Sequence, residues 1–196
     1  MSCSLLIVAS VSAATDWNSV NKAINAFPPA WRCLILGRHI SPHAVIPGRC
    51  DIFLRPKTLW GEIIGKAKVT INNYGCDNHM LMLDDVAITP SFNVDTLQTF
   101  ARTGNFPVAS PVVKNATYHF MHSCNVHVPF IEIYMTLFTK PAWNMFMRLI
   151  KIVPGVGWGY SRCLGKHFRA GVDCNTAVVH TGHRSLVPFY SRAQAE

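Results

Sequence analysis

Met80-Leu81-Met82-Leu83 runs directly into two adjacent carboxylates, Asp84 and Asp85. Two acids side by side repel unless donors or a cation neutralise them. A divalent metal holding phosphate oxygens resolves that repulsion, because Mg²⁺ and Mn²⁺ prefer oxygen ligands. The plainer reading is a turn or a helix cap, where Asp is also common. A third acid, Glu132, stands in the apolar stretch Phe130–Phe138. A carboxylate in such a stretch holds its proton more tightly than one in water unless it meets donors or a wet cleft, which suits a general base for a hydroxyl. The alternative is an edge-strand Glu facing solvent.

Other residues carry weaker signals. Gly155, Gly157 and Gly159 surround Trp158. Glycines let a backbone approach a ligand, and an indole can stack on a sugar face or plug a core. Arg55 and Lys57 fall between a strand and a helix, where they could meet phosphate. His119, His122, Cys124 and His127 are zinc-ligand types. On a strand, however, His119 and His122 point to opposite faces, and the spacing matches no standard zinc pattern.

The elements that must position these residues can be read from periodicity and caps. Leu5–Val11 reads as a buried strand, and Thr15 or Asp16 caps a helix to about Ala26. Strands follow at Arg32–Leu36 and Asp51–Leu54, and Thr58 caps a helix to about Lys68. Met80–Leu83 is a strand, and Asn93 or Asp95 opens a helix ending near Gly104. Val108–Val113, Tyr118–His122 and Phe130–Phe138 read as strands, Pro141–Val153 as a helix, and Ser161–Phe168 as a short helix. Gly171–Cys174 and Ala177–His180 close the pattern as two short strands. Strand–helix alternation in the first half implies a parallel sheet, and the strand-rich second half makes the whole α/β with a mixed sheet flanked by helices. One domain over 1–190 with a polar tail over 191–196 accounts for the chain.

Composition sets the outer bounds. With 49% hydrophobic and 14% charged residues, the chain of 196 residues can fill a core and does not have the make-up of a disordered segment. No apolar run reaches the ~20 residues that a membrane-spanning helix needs. The net charge of +8 fits an anionic partner, yet the basic residues are scattered, so a nucleic-acid stripe is disfavoured. Seven cysteines, at 3, 33, 50, 76, 124, 163 and 174, form no CxxC pair, so the expectation is reduced thiols in the cytoplasm rather than a disulfide framework. The apolar start lacks a basic lead-in, which favours a strand over a secretory signal while leaving the latter open.

The segment Leu81-Met82-Leu83-Asp84-Asp85 and its continuation to Val113 resemble the acidic-motif region of GT-A glycosyltransferases, in particular a plant and bacterial family with a WDED-type motif. Phe130–Phe138, Ala142-Trp143, Gly157-Trp158-Gly159 and Val178-Val179-His180 continue the likeness, which runs from about Arg55 to Leu186. The resemblance implies a single-domain GT-A-like (nucleotide-diphospho-sugar transferase) fold. It also implies inverting transfer of a sugar from a nucleotide donor, a UDP-sugar, to a glycan hydroxyl. Asp85 and His180 would hold Mn²⁺ or Mg²⁺, with His183 a rival for the second role. Glu132 would be the base, and Ser10, Ser12 and Thr15 would meet uracil and ribose. Asp84, Arg55, Lys57, Trp158 and Gly159 complete the donor side. Leu83 stands where the family has an acid on the ribose. The competing classes are a non-catalytic nucleotide-sugar or glycan-binding module of this fold, and a basic nucleic-acid-binding protein.

Overall fold

The structure is a computed structural model that describes residues 3–115, 128–129, 131–152 and 160–181. The described strands form one eight-stranded sheet in the order β3-β2-β1-β4-β7-β6-β8-β5. They are β1 (Ser4–Val11), β2 (Arg32–Gly37), β3 (Cys50–Leu54), β4 (Asn78–Leu83), β5 (Val86–Ile88), β6 (Val108–Lys114), β7 (Met135–Thr139) and β8 (Ala170–His180). The helices are α1 (Trp17–Asn25), α2 (Trp60–Lys66), α3 (Lys68–Asn73), α4 (Val94–Thr103), α5 (Lys140–Ile152) and α6 (Tyr160–His167). The mixed α/β expectation holds at this level.

The first four strands are parallel, and β1 lies between β2 and β4. Their central members are almost wholly apolar, as strands covered on both faces must be. The chain moves from β1 out to β3, then returns to lay β4 on the other side of β1. The two crossovers therefore run in opposite directions, and right-handed connection puts α1 and the α2–α3 pair on opposite faces. Asp16 caps α1 by accepting from Asn18 N–H, and Asn93 caps α4 by accepting from Thr96 N–H, as their positions before apolar-periodic runs predict. Gly37 is required by close approach: a Cβ there would sit 2.7 Å from the Val11 carbonyl oxygen.

The far half of the sheet is curled, and chain connectivity shows why. β4 and β5 are joined only by Asp84 and Asp85, yet four strand positions separate them in the sheet order. In a flat sheet those positions span about 19 Å, at about 4.8 Å each. The linker can bridge only about 11 Å, as three Cα steps of about 3.8 Å. The sheet must bend until the end of β8 reaches the end of β4. A bulge in β8 supplies the bend: Pro111 pairs with Asp173, but the next residue, Val112, pairs with Ala177. Asp173 is buried inside it and accepts from Asn175 N–H and the Asn175 amide.

Several boundaries differ from expectation. Phe130–Phe138 is not one strand: pairing starts only at Met135, and Ile133–Tyr134 is a turn entering the sheet. The two short strands around Cys174 are one bulged strand. The helix expected to run to Lys68 is two, and Thr58 does not cap it, since its hydroxyl donates to the Arg55 carbonyl. Glu62 instead accepts from the Leu59 N–H at the start of α2. Tyr118–His122, the His119–His127 group, the Gly155–Gly159 loop and the tail lie outside the described residues.

The reduced-thiol expectation is corrected. Cys33 and Cys50 are bridged, as are Cys3 and Cys76, and Cys174 is disulfide-bonded as well. Cys163 is the free thiol among the described residues. Sequence spacing could not show the pairing because it is made across the sheet: Cys33 and Cys50 are register partners on β2 and β3.

Candidate functional site at the carboxyl end of the sheet

Ligands of open α/β sheets bind beyond the carboxyl ends of the strands, where the strand order reverses. Here that point lies between β1 and β4. Ser10 stands near the end of β1 and Asp84 directly follows β4, and the Asp84 N–H donates to the Ala9 carbonyl at 3.0 Å. Ser10 has φ 77°, a left-handed conformation that a non-glycine residue seldom adopts, and it lies in a register break of β1. The chain then turns so that Thr15 reaches back. Its hydroxyl accepts from Ser12 N–H at 2.8 Å and donates to Asp84 Oδ2 at 2.5 Å.

Asp85 meets His180 across 95 residues of chain, with His180 Nε2 3.0 Å from Asp85 Oδ2. The short pairing of β5 on β8 fixes this contact, because Val86 is the register partner of His180. Thr181 secures the corner, its N–H and hydroxyl both donating to the Asp85 carbonyl, at 2.7 and 2.8 Å. Asp85 Oδ1 is buried and has no hydrogen-bond partner among the described residues. The His180 ring packs on Tyr134 with centroids 4.3 Å apart.

Antiparallel β7 enters the sheet from this same end, and Leu83 N–H donates to the Tyr134 carbonyl at 2.8 Å. Glu132, two residues earlier, is therefore carried to the site, and its side chain is buried. β6 runs parallel to β8 and delivers Asn115, whose backbone hydrogen-bonds the His180 ring. Four separate chain segments thus converge on the Asp84–Asp85 corner.

Electrostatics follow from this packing. Burial pushes the Asp84 carboxyl up to about 6, and the charge of Asp85 adds to the effect. The Thr15 hydroxyl and the Arg38 charge pull the other way. His180 is held above the usual imidazole range, first by its hydrogen bond to Asp85 and then by the charges of Asp85 and Glu132, with burial opposing. A His–carboxylate pair next to a buried acid attracts cations or protonated groups, not bare anions.

Of the sequence-predicted residues, the fold brings together Ser10, Thr15, Asp84, Asp85, Glu132 and His180. Arg55 and Lys57 lie further along the same sheet end, after the outer strand β3. Both are exposed, and the Arg55 guanidinium rests over the Phe53 ring at 4.7 Å. Trp158, Gly159 and His183 are outside the described residues. Arg38, Tyr134, Asn115 and Thr181 were missed. Arg38 had a readable signal, since it directly follows β2 and so occupies the same sheet end as Ser10 and Asp84. Nothing local marks Tyr134 or Asn115.

The fold and site together define a mixed α/β protein with an acid- and histidine-lined corner at its topological switch point. Among solved structures, the crystal structure of A197 from STIV matches with a TM-score of 0.53, covering 93% of this chain and 87% of that one at 10% identity. That likeness establishes a shared fold. No family model and no curated protein matches the chain.

Proposed function

We propose that the chain is a metal-assisted glycosyltransferase with a GT-A-like fold, moving a sugar from a UDP-type donor to a glycan hydroxyl with inversion. The meeting of Asp85 and His180 at the switch point carries this reading. The pair was expected from the resemblance, and 95 residues of intervening chain gave it no local reason to form. A divalent cation here would take His180 Nε2 in place of its hydrogen bond to Asp85, together with the buried Asp85 oxygen that has no hydrogen-bond partner among the described residues, while Asn115 steadies the imidazole, as backbone carbonyls commonly do for metal-binding histidines. Two protein ligands suffice for Mg²⁺ or Mn²⁺ when phosphate and water fill the remaining positions. Such an ion neutralises charge on a departing diphosphate.

The chain's own residues supply the rest. Ser10 and Thr15 line the nucleoside side, with Thr15 fixing the rotamer of Asp84. Arg38 brings a cation to the same end for the diphosphate. Glu132, buried beside His180, takes the acceptor proton as the hydroxyl oxygen bonds to the anomeric carbon and the donor C–O bond breaks. The disulfides favour an oxidising compartment, or the interior of a hyperthermophile, over an ordinary reducing cytosol.

The test is donor turnover with Mn²⁺. Glu132→Gln should retain UDP binding while turnover falls about 10²–10⁴-fold, the usual worth of a general base. A fully active variant removes Glu132 from that role. The second reading, a non-catalytic nucleotide-sugar module, rests on the incomplete acidic motif, in which Leu83 stands where the family has an acid on the ribose. It predicts UDP binding with no hydrolysis or transfer by the wild type.

A further inference from the structure

Away from the acidic corner, α2 and α3 face α5 across a groove of about 460 Å³ that continues into a second of about 240 Å³. Its floor is apolar, built by Met147 and Ile150, with Gly65 close against Ile150. Its rims are basic: Lys66 and Lys68 on one side, Arg148 and Lys151 on the other, all four exposed. The one carboxylate lining the groove, Glu62, is turned back onto the Leu59 N–H. Next in sequence to Lys68 and Lys151 are two exposed aliphatic residues, Val69 at 70% exposure and Ile152 at 74%.

Cations lining one groove between neighbouring helices, with α3 and α5 each also carrying an exposed aliphatic side chain, are what the headgroup boundary of an anionic bilayer accepts: charge for the phosphates, alkyl groups for the acyl edge. A single-stranded nucleic acid is held instead by cations with stacking aromatic rings, which Val69 and Ile152 do not provide. We propose that the α2–α3–α5 face docks on an anionic lipid surface. Val69 and Ile152 enter the headgroup layer, and Lys66, Lys68, Arg148 and Lys151 lie against lipid phosphates. This is independent of the acidic corner and does not require it to bind a nucleotide.

Vesicle flotation tests it, using phosphatidylcholine alone and an equal mixture with phosphatidylglycerol. The chain should bind only the mixed vesicles and be released by high salt. Each Lys or Arg changed to Gln should weaken binding about fivefold. Val69→Ser with Ile152→Ser should weaken it further at unchanged charge. All six positions are exposed, so the variants should keep their fold, checked by circular dichroism. Inorganic phosphate at matched ionic strength should not compete. Equal binding to neutral vesicles, no binding to the mixed ones, or variants that bind as the wild type does would overturn the proposal. So would tighter binding of an RNA oligonucleotide that is lost in the same variants.

Discussion

Asp84 offers the sharpest test of the electrostatic account, because burying its ionised form costs stability. Burial holds its carboxyl at about 6 against an ordinary value of 3.8. The folded state therefore binds the proton more tightly than the unfolded chain. Below about pH 3.8 both states are protonated and no penalty exists; as pH rises through the window to 6, folding loses stability. At pH 7.5 the full gap corresponds to about 3 kcal/mol at 1.36 kcal/mol per pKa unit, and partial solvent access reduces that to about 1–2 kcal/mol. Asp84→Asn imitates the protonated form and can still accept from Thr15. In metal-free buffer it should therefore raise the melting temperature at pH 7.5 by roughly 5 °C for a domain of this size. Near pH 3.5 it should have almost no effect. Thermal melts of both proteins across that range give the difference directly. A variant less stable than wild type at pH 7.5, or equally shifted at both ends, refutes the claim that burial destabilises the ionised form of Asp84.

Other consequences concern separate parts of the molecule. His79 is buried and stacked on Trp143 at 4.8 Å, and burial, assisted by the Lys140 charge, lowers it to about 4. Its neutral form is favoured by folding, so its contribution is complete above pH 6.5 and falls away below; urea melts at pH 5 should show about 2 kcal/mol less from this residue than at pH 7.5. His79→Phe should abolish that component. Reduction of the disulfides should lower stability, by about 3 kcal/mol for Cys33–Cys50 and about 4 kcal/mol for Cys3–Cys76 from loop closure. Denaturation with and without reductant, alongside a thiol count, measures it; a native chain with every thiol reactive would contradict the pairing.

Legibility divided along physical lines. Features set by neighbours in sequence were plain: β1 and β4 from apolar runs, α1 from Thr15 or Asp16, α4 from Asn93 or Asp95 and Gly104. Asp84 and Asp85 stood out because two charges end a hydrophobic strand. Features set by tertiary closure were not legible. Val86–Ile88 is only three residues long and becomes a strand solely because β8 bends onto it. The break at Tyr134 is dictated by β7 joining β4, not by any loss of apolar character in Phe130–Phe138. Cys33 and Cys50 are cross-strand neighbours, and Cys3 and Cys76 lie just before the paired strands β1 and β4, closeness that spacing cannot reveal. His180 could be nominated only through likeness, since a single histidine at a strand end has no pattern of its own. Its contact with Asp85 follows from a two-residue linker too short to let the sheet stay flat.

The central claim is that Asp85 and His180 form one cation site serving a diphosphate. Isothermal calorimetry of UDP in Mn²⁺ and then in EDTA, on the wild type, Asp85→Ala and His180→Ala, measures it most directly. The account predicts binding by the wild type in Mn²⁺ alone, and its loss in both variants while each remains folded. Equal UDP affinity with and without the metal, or undiminished affinity in both variants, would contradict it.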